Sequence, residues 1–121
     1  VPARRQRPEQ ALQRAVFAHL RQRAAPGVFA FHVPNGGYRK PVEAAIMKSL
    51  GVRAGVPDVI AIHQGRVYGL ELKADGGRPT PKQLEAVAQM EAAGAYCCIA
   101  HGLDRALATL EQWGLLRGHA A

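Results

Sequence analysis

The chain has 121 residues, of which 48% are hydrophobic, 21% charged and 6% aromatic, a composition that fits one globular domain and leaves no room for two. Its 16 lysines and arginines against 9 aspartates and glutamates give a formal charge of +7, with ten bases and three acids in residues 1–60 and six of each in residues 61–121. A basic surface belonging to one half favours a polyanionic partner, nucleic acid or an anionic membrane; no apolar run approaches the ~20 residues of a membrane span and no signal-like apolar stretch occupies the first ten residues, so a soluble, intracellular chain is expected.

Residues 1–7, VPARRQR, lack apolar periodicity and are expected to form a flexible basic arm ahead of a single domain spanning 8–117, with 118–121 as a tail. Pro8 suits the first turn of a helix, where its missing N–H would have no partner. Leu12, Ala15, Val16 and Leu20 recur at helical spacing up to the Pro26-Gly27 breaker, which predicts a helix over Pro8 to Arg23. Val28 to Val33, β-branched and aromatic between turn residues, reads as a strand, and Val42 to Leu50 as a short helix ended by Gly51. Asp58 to His63 and Arg66 to Lys73 flank Gln64-Gly65, a tight hairpin turn. Thr80-Pro81-Lys82-Gln83 combines a Thr N-cap, Pro at the first helical position and Gln three residues after the cap, which opens a helix running to Ala93. Ala95 to Ala100 is continuously apolar, a buried strand in which the adjacent Cys97 and Cys98 lack metal-ligand spacing and read as small packing residues. Leu103, Leu107, Leu110 and Trp113 mark a last amphipathic helix closed by Gly114. The expected fold is α/β, a mixed four-stranded sheet flanked by helices.

If His63 and Arg66 close the hairpin, Asp58 lies opposite Glu71, and alternation puts Asp58, Glu71 and Lys73 on one face. Two carboxylates about 5 Å apart suit a hard divalent cation, since Mg²⁺ takes one or two protein carboxylates and fills its shell with water and phosphate oxygens. A lysine beside them can hold a water or a scissile phosphate, and the set suits metal-assisted phosphodiester hydrolysis. The same three charges also read as a solvated ion-pair cluster at a strand end, worth ~1 kcal/mol or less. The five histidines show no zinc-binding spacing; His32, beside the Asn35-Gly36-Gly37 turn, is the one nearest a substrate.

Gly55-Val56-Pro57-Asp58, thirteen positions ahead of Glu71-Leu72-Lys73, resembles the bipartite signature of the PD-(D/E)XK nuclease superfamily. With His32-Val33-Pro34-Asn35-Gly36-Gly37 before it and Thr80-Pro81-Lys82-Gln83 after it, the ordered series resembles the virus-type replication-repair nuclease (VRR-NUC) domain over Pro8 to Leu110. The resemblance implies a restriction-endonuclease-like core, a Mg²⁺ or Mn²⁺ requirement and DNA phosphodiester cleavage in replication, repair or recombination. It implies Asp58, Glu71 and the Leu72 carbonyl as metal ligands, Lys73 as the catalytic lysine and Gln83 as a supporting residue. Glu9 matches an acidic residue on the first helix, though it equally fits a first-turn carboxylate complementing the helix dipole. The Asn35-Gly36-Gly37 loop would lie beside DNA, with phosphate contacts drawn from Tyr38, Arg39, Lys40, Lys48 and Arg53. Small stand-alone members resemble Holliday-junction resolvases, which implies a homodimer acting on branched DNA, with the final and first helices as candidate contact faces. The rival expectation is a nucleic-acid-binding module without chemistry; a sequence-specific restriction enzyme is disfavoured because so short a chain leaves little room for base-reading elements.

Overall fold

The computed structural model describes residues 2–34 and 40–118, with side chains from residue 8 onward. Its elements follow the predicted order: α1 (Pro2–Arg23), β1 (Phe29–Phe31), α2 (Pro41–Ser49), β2 (Val59–His63), β3 (Arg66–Lys73), α3 (Pro81–Ala92), β4 (Tyr96–His101) and α4 (Leu103–Gln112). The four strands form one mixed sheet in the order β1-β2-β3-β4. The first two pairings are antiparallel and the last, β3 with β4, is parallel and bridged by α3, as a parallel pair requires a crossover. This is the α/β arrangement of a restriction-endonuclease-like core.

Alternation along the strands assigns the two faces. Val59, Ala61, Tyr68, Leu70, Leu72 and Ala100 point to one side, where Leu12, Val16 and Leu20 of α1 and Leu107 and Leu110 of α4 complete the core with Leu115 and Leu116. On the other side Gly69 lies under α3. A Cβ there would sit 2.9 Å from Pro57 Cγ and 3.2 Å from Met90 Cε, so the close approach of α3 depends on this glycine. The C-terminal end of α1 is clasped by the chain's last described residues: Ala25 N–H donates to the Leu115 carbonyl (2.8 Å), Arg117 N–H to that of Arg23 (2.8 Å), and the Arg23 guanidinium to Glu111 (2.6 Å).

Several boundaries differ from expectation by a residue or more, and three bear on the site. Helix α1 begins at Pro2 rather than Pro8, which therefore sits inside it; the cost of proline there is the one backbone hydrogen bond its nitrogen cannot donate. Strand β1 is shorter than Val28 to Val33 because only Phe29, Ala30 and Phe31 find partners, on Ile62, Ala61 and Ile60. Strand β2 starts at Val59, one residue after Asp58. The leucines of the final helix are not an exposed contact face: Leu107, Leu110 and Leu115 are buried in this chain's own core, because α4 fills the space beside α1 over the sheet. Of the predicted tail only Gly118 is described.

Candidate active site

The hairpin forms in the predicted register. Gln64 and Gly65 take positive φ, 52° and 77°, as a two-residue turn requires, and the pairs run from His63 opposite Arg66 to Val59 opposite Leu70. One step further Asp58 leaves the backbone ladder and substitutes its side chain: Oδ2 accepts from Leu72 N–H at 2.9 Å. A strand residue's N–H and C=O point to the same side, so the Leu72 carbonyl opens toward Asp58 too. The Asp58 main chain is held from β1's side, where His32 Nδ1 lies 2.7 Å from its carbonyl oxygen. A carbonyl only accepts, so Nδ1 carries the proton.

Glu71, from the central strand, is 2% exposed and Lys73 is 6% exposed. Burial, followed by the charge of the neighbouring Asp58, pushes the Glu71 carboxyl up to about 8. Burial also raises Asp58, against the lowering effects of the Leu72 N–H and of His32 and Lys73. Lys73 Nζ stands 3.7 Å from Glu71 Oε2 and 3.9 Å from Glu9 Oε2, so α1 does deliver Glu9 to the same place. Three carboxyl groups thus share one ammonium, a shortfall of positive charge that a divalent cation would correct.

The donor chemistry fits such an ion. All the available ligands are oxygens, which suit Mg²⁺ or Mn²⁺ rather than a thiolate- or imidazole-bound metal. Among the described residues no three His, Cys, Asp or Glu side chains gather so as to hold a metal ion. Asp58, Glu71 and the Leu72 carbonyl would therefore hold an ion that keeps positions open for water and substrate.

Gln83 does not face the carboxylates with its amide oxygen. Its Oε1 accepts from Thr80 N–H (2.9 Å) while its own N–H donates to Thr80 Oγ1 (3.2 Å), completing the capping box. Its link to the site runs through Gly55: a Cβ at that residue would lie 2.4 Å from the Lys82 carbonyl oxygen and 2.8 Å from Gln83 N. The capped first turn of α3 is thus pressed against the Gly55-Val56-Pro57-Asp58 loop. Sequence reasoning placed Gly55 and His32 in motifs but missed what they touch; a glycine two residues before Pro57 was the available sign of a crowded turn, and the structure gives it a φ of +83°.

The predicted nucleic-acid contacts divide. Asn35, Gly36, Gly37, Tyr38 and Arg39 lie outside the described residues. Lys40 precedes α2, Lys48 is in its last turn, and Arg53, on the following loop, donates to Gln89 of α3; all three are exposed. No described helix is long and apolar enough to cross a membrane.

No family model and no curated protein matches the chain. Among solved structures, a chain described as a VRR_NUC domain protein superposes with a TM-score of 0.73 at 27% identity, covering 87% of this chain and 86% of that one. Another, described as a VRR_NUC domain, gives 0.61 at 18% identity over 88% of this chain and 97% of that one, a likeness of fold. Agreement in architecture over nearly the full length of both, joined to the ordered motif series, supports a VRR-NUC domain, the fold of a nuclease-domain family.

Proposed function

We propose that the chain is a Mg²⁺- or Mn²⁺-dependent deoxyribonuclease that hydrolyses phosphodiester bonds in branched DNA. The observation that carries this reading is the joining of Asp58 and Glu71 across one hairpin end, with Lys73 Nζ 3.7 Å from Glu71. A module that only bound DNA would gain nothing from buried carboxylates beside a phosphate backbone.

A bound divalent cation supplies Lewis acidity toward a phosphoryl oxygen and makes water a better nucleophile. The chain's residues do the rest. Asp58 is fixed at its side chain by Leu72 N–H and at its main chain by His32. Glu71, held rigid by the central strand, would bind the cation as its carboxylate. Lys73, flanked by Glu71 and Glu9, keeps a positive charge where negative charge grows on the phosphate, or orients the attacking water. Glu9 reaches this ammonium from another element.

The test is cleavage of end-labelled linear duplex, single strand, flap and four-way junction with Mg²⁺, Mn²⁺ or EDTA. Metal-dependent cutting, fastest on the junction, is expected, and Asp58→Asn and Glu71→Gln should abolish it while leaving the fold intact. Lys73→Met should lower kcat by roughly 10²-fold or more with little change in DNA affinity. Cutting that persists in excess EDTA would overturn the metal-dependent reading; DNA binding by the wild-type chain without cutting under any condition would favour the binding module.

A further inference from the structure

A cavity of about 720 Å³ lies between α2 and α3, outside the carboxylate site. Met47 and Ala86 are among its apolar lining residues, and Lys48, Arg53 and Lys82 bring three cations to it against the single carboxylate of Glu85. That carboxylate is engaged on its own helix, accepting from Gln89 Nε2 at 3.3 Å, and Arg53 donates to Gln89 Oε1. Neither Lys48 nor Lys82 has an ion-pair partner among the described residues. Lys82 was not among the predicted contacts; the fold places it with Lys48 on the lining of one cavity. The cavity adjoins the candidate active site, because the main chain of Lys82 abuts Gly55, three residues before Asp58.

We infer that this cavity holds an unpaired, single-stranded segment of the nucleic-acid substrate, a specificity that rests on the nuclease reading above. The shape and the lining point to different parts of one ligand. Phosphates answer the lysines, as they would for any DNA. The apolar part of the lining answers something flat and apolar, and in a duplex the base faces are stacked on one another, so that only base edges, sugar and phosphate are open to a protein. An unstacked strand offers both, with bases against the apolar lining and phosphates at the rim. The Met47 thioether suits the first of these because a polarisable sulfur packs well against aromatic rings.

The test is fluorescence anisotropy in EDTA, so that no cutting intervenes, with labelled oligothymidylate compared with a blunt duplex of the same length. Lys48→Glu with Lys82→Glu should lower oligothymidylate affinity at least tenfold and flatten its log–log salt slope by about 1.4. Met47→Gln, which keeps length and charge but removes the apolar sulfur, should cost about fivefold on the single strand and less than twofold on the duplex. Both substitutions sit on exposed or half-exposed positions, and unchanged melting temperatures would establish that the variants are folded. The inference fails if wild type does not bind the single strand, if neither variant weakens that binding, or if Met47→Gln weakens single strand and duplex alike. Failure of the nuclease reading would show separately, as absence of cutting by wild type with either metal.

Discussion

Burial and the adjacent Asp58 keep the Glu71 carboxyl protonated up to about 8, against 4.5 for an ordinary glutamate. Between those values the folded chain holds a proton that the unfolded chain has released, so stability is highest at low pH and falls as pH rises through the interval. The metal-free protein should therefore melt at a lower temperature at pH 8 than at pH 5.5, and Glu71→Gln should remove most of that slope. Cation binding at pH 7 should release a proton, measurable by calorimetry in buffers of different ionisation heat; no release would mean that Glu71 is already ionised. His32 lies 2.7 Å from the carbonyl oxygen of Asp58, the proposed ligand beside Glu71. His32→Ala should weaken Mn²⁺ binding about tenfold, in keeping with other groups that orient a metal ligand, and His32→Asn, which retains a nitrogen donor at the Nδ1 position, should recover most of it. Equal Mn²⁺ affinity in wild type and His32→Ala would remove His32 from this role.

Among the elements, the first turn of α3 and the Gly55 loop form a single joint. Gly55 combines a positive φ of +83° with a Cβ position only 2.4 Å from a backbone oxygen, whereas Gly65, at φ +77°, has nothing within 4 Å. Gly65→Ala should cost only backbone strain, about 1 kcal/mol. Gly55→Ala must also push α3 away, and should cost roughly 2–3 kcal/mol in urea unfolding while weakening Mn²⁺ binding through Asp58. Equal effects of the two substitutions would count against the joint. The contrast also shows what a sequence can carry. The hairpin register, the capping box and the order of all eight elements were legible because each is set by local chemistry: a turn dipeptide, a cap, an alternation of apolar residues. The pressure of Lys82 on Gly55, the His32 bond to Asp58 and the loss of the α4 leucines into the core were not, because each joins residues whose neighbours in space lie far apart in the chain. The start of α1 was misplaced for a local reason: Pro8 favours a first turn, yet the backbone tolerates it further in.

Across the whole molecule, apolar surface is distributed unevenly. Val42 and Ile46, one turn apart on α2, and Leu50, which caps its C-terminus, are 64%, 54% and 76% exposed, and Phe29 on the edge strand β1 is 65% exposed. On α2 this ridge turns away from Ala44, Met47 and Lys48, which line the cavity toward α3. A contiguous apolar ridge on a small domain suits self-association, and a homodimer through it, in place of the final helix, accords with action on branched DNA. Light scattering should give twice the chain mass at micromolar concentration, and Ile46→Glu with Leu50→Glu should halve it; a wild-type chain that stays monomeric at 100 μM, on the order of the weakest stable pairs, would exclude the dimer.

The hairpin has one more consequence, for the order in which the site comes into being. Only Gln64 and Gly65 separate the strands that bring Asp58 to Glu71, so the acidic pair closes across one of the shortest loops a chain can make, at little entropic cost. Glu9 meets Lys73 only after α1 has docked across most of the domain, with the far end of that helix clasped by Leu115 and Arg117. The acidic pair is thus expected to be joined first, and the groups that complete the site to arrive through slow, long-range closure.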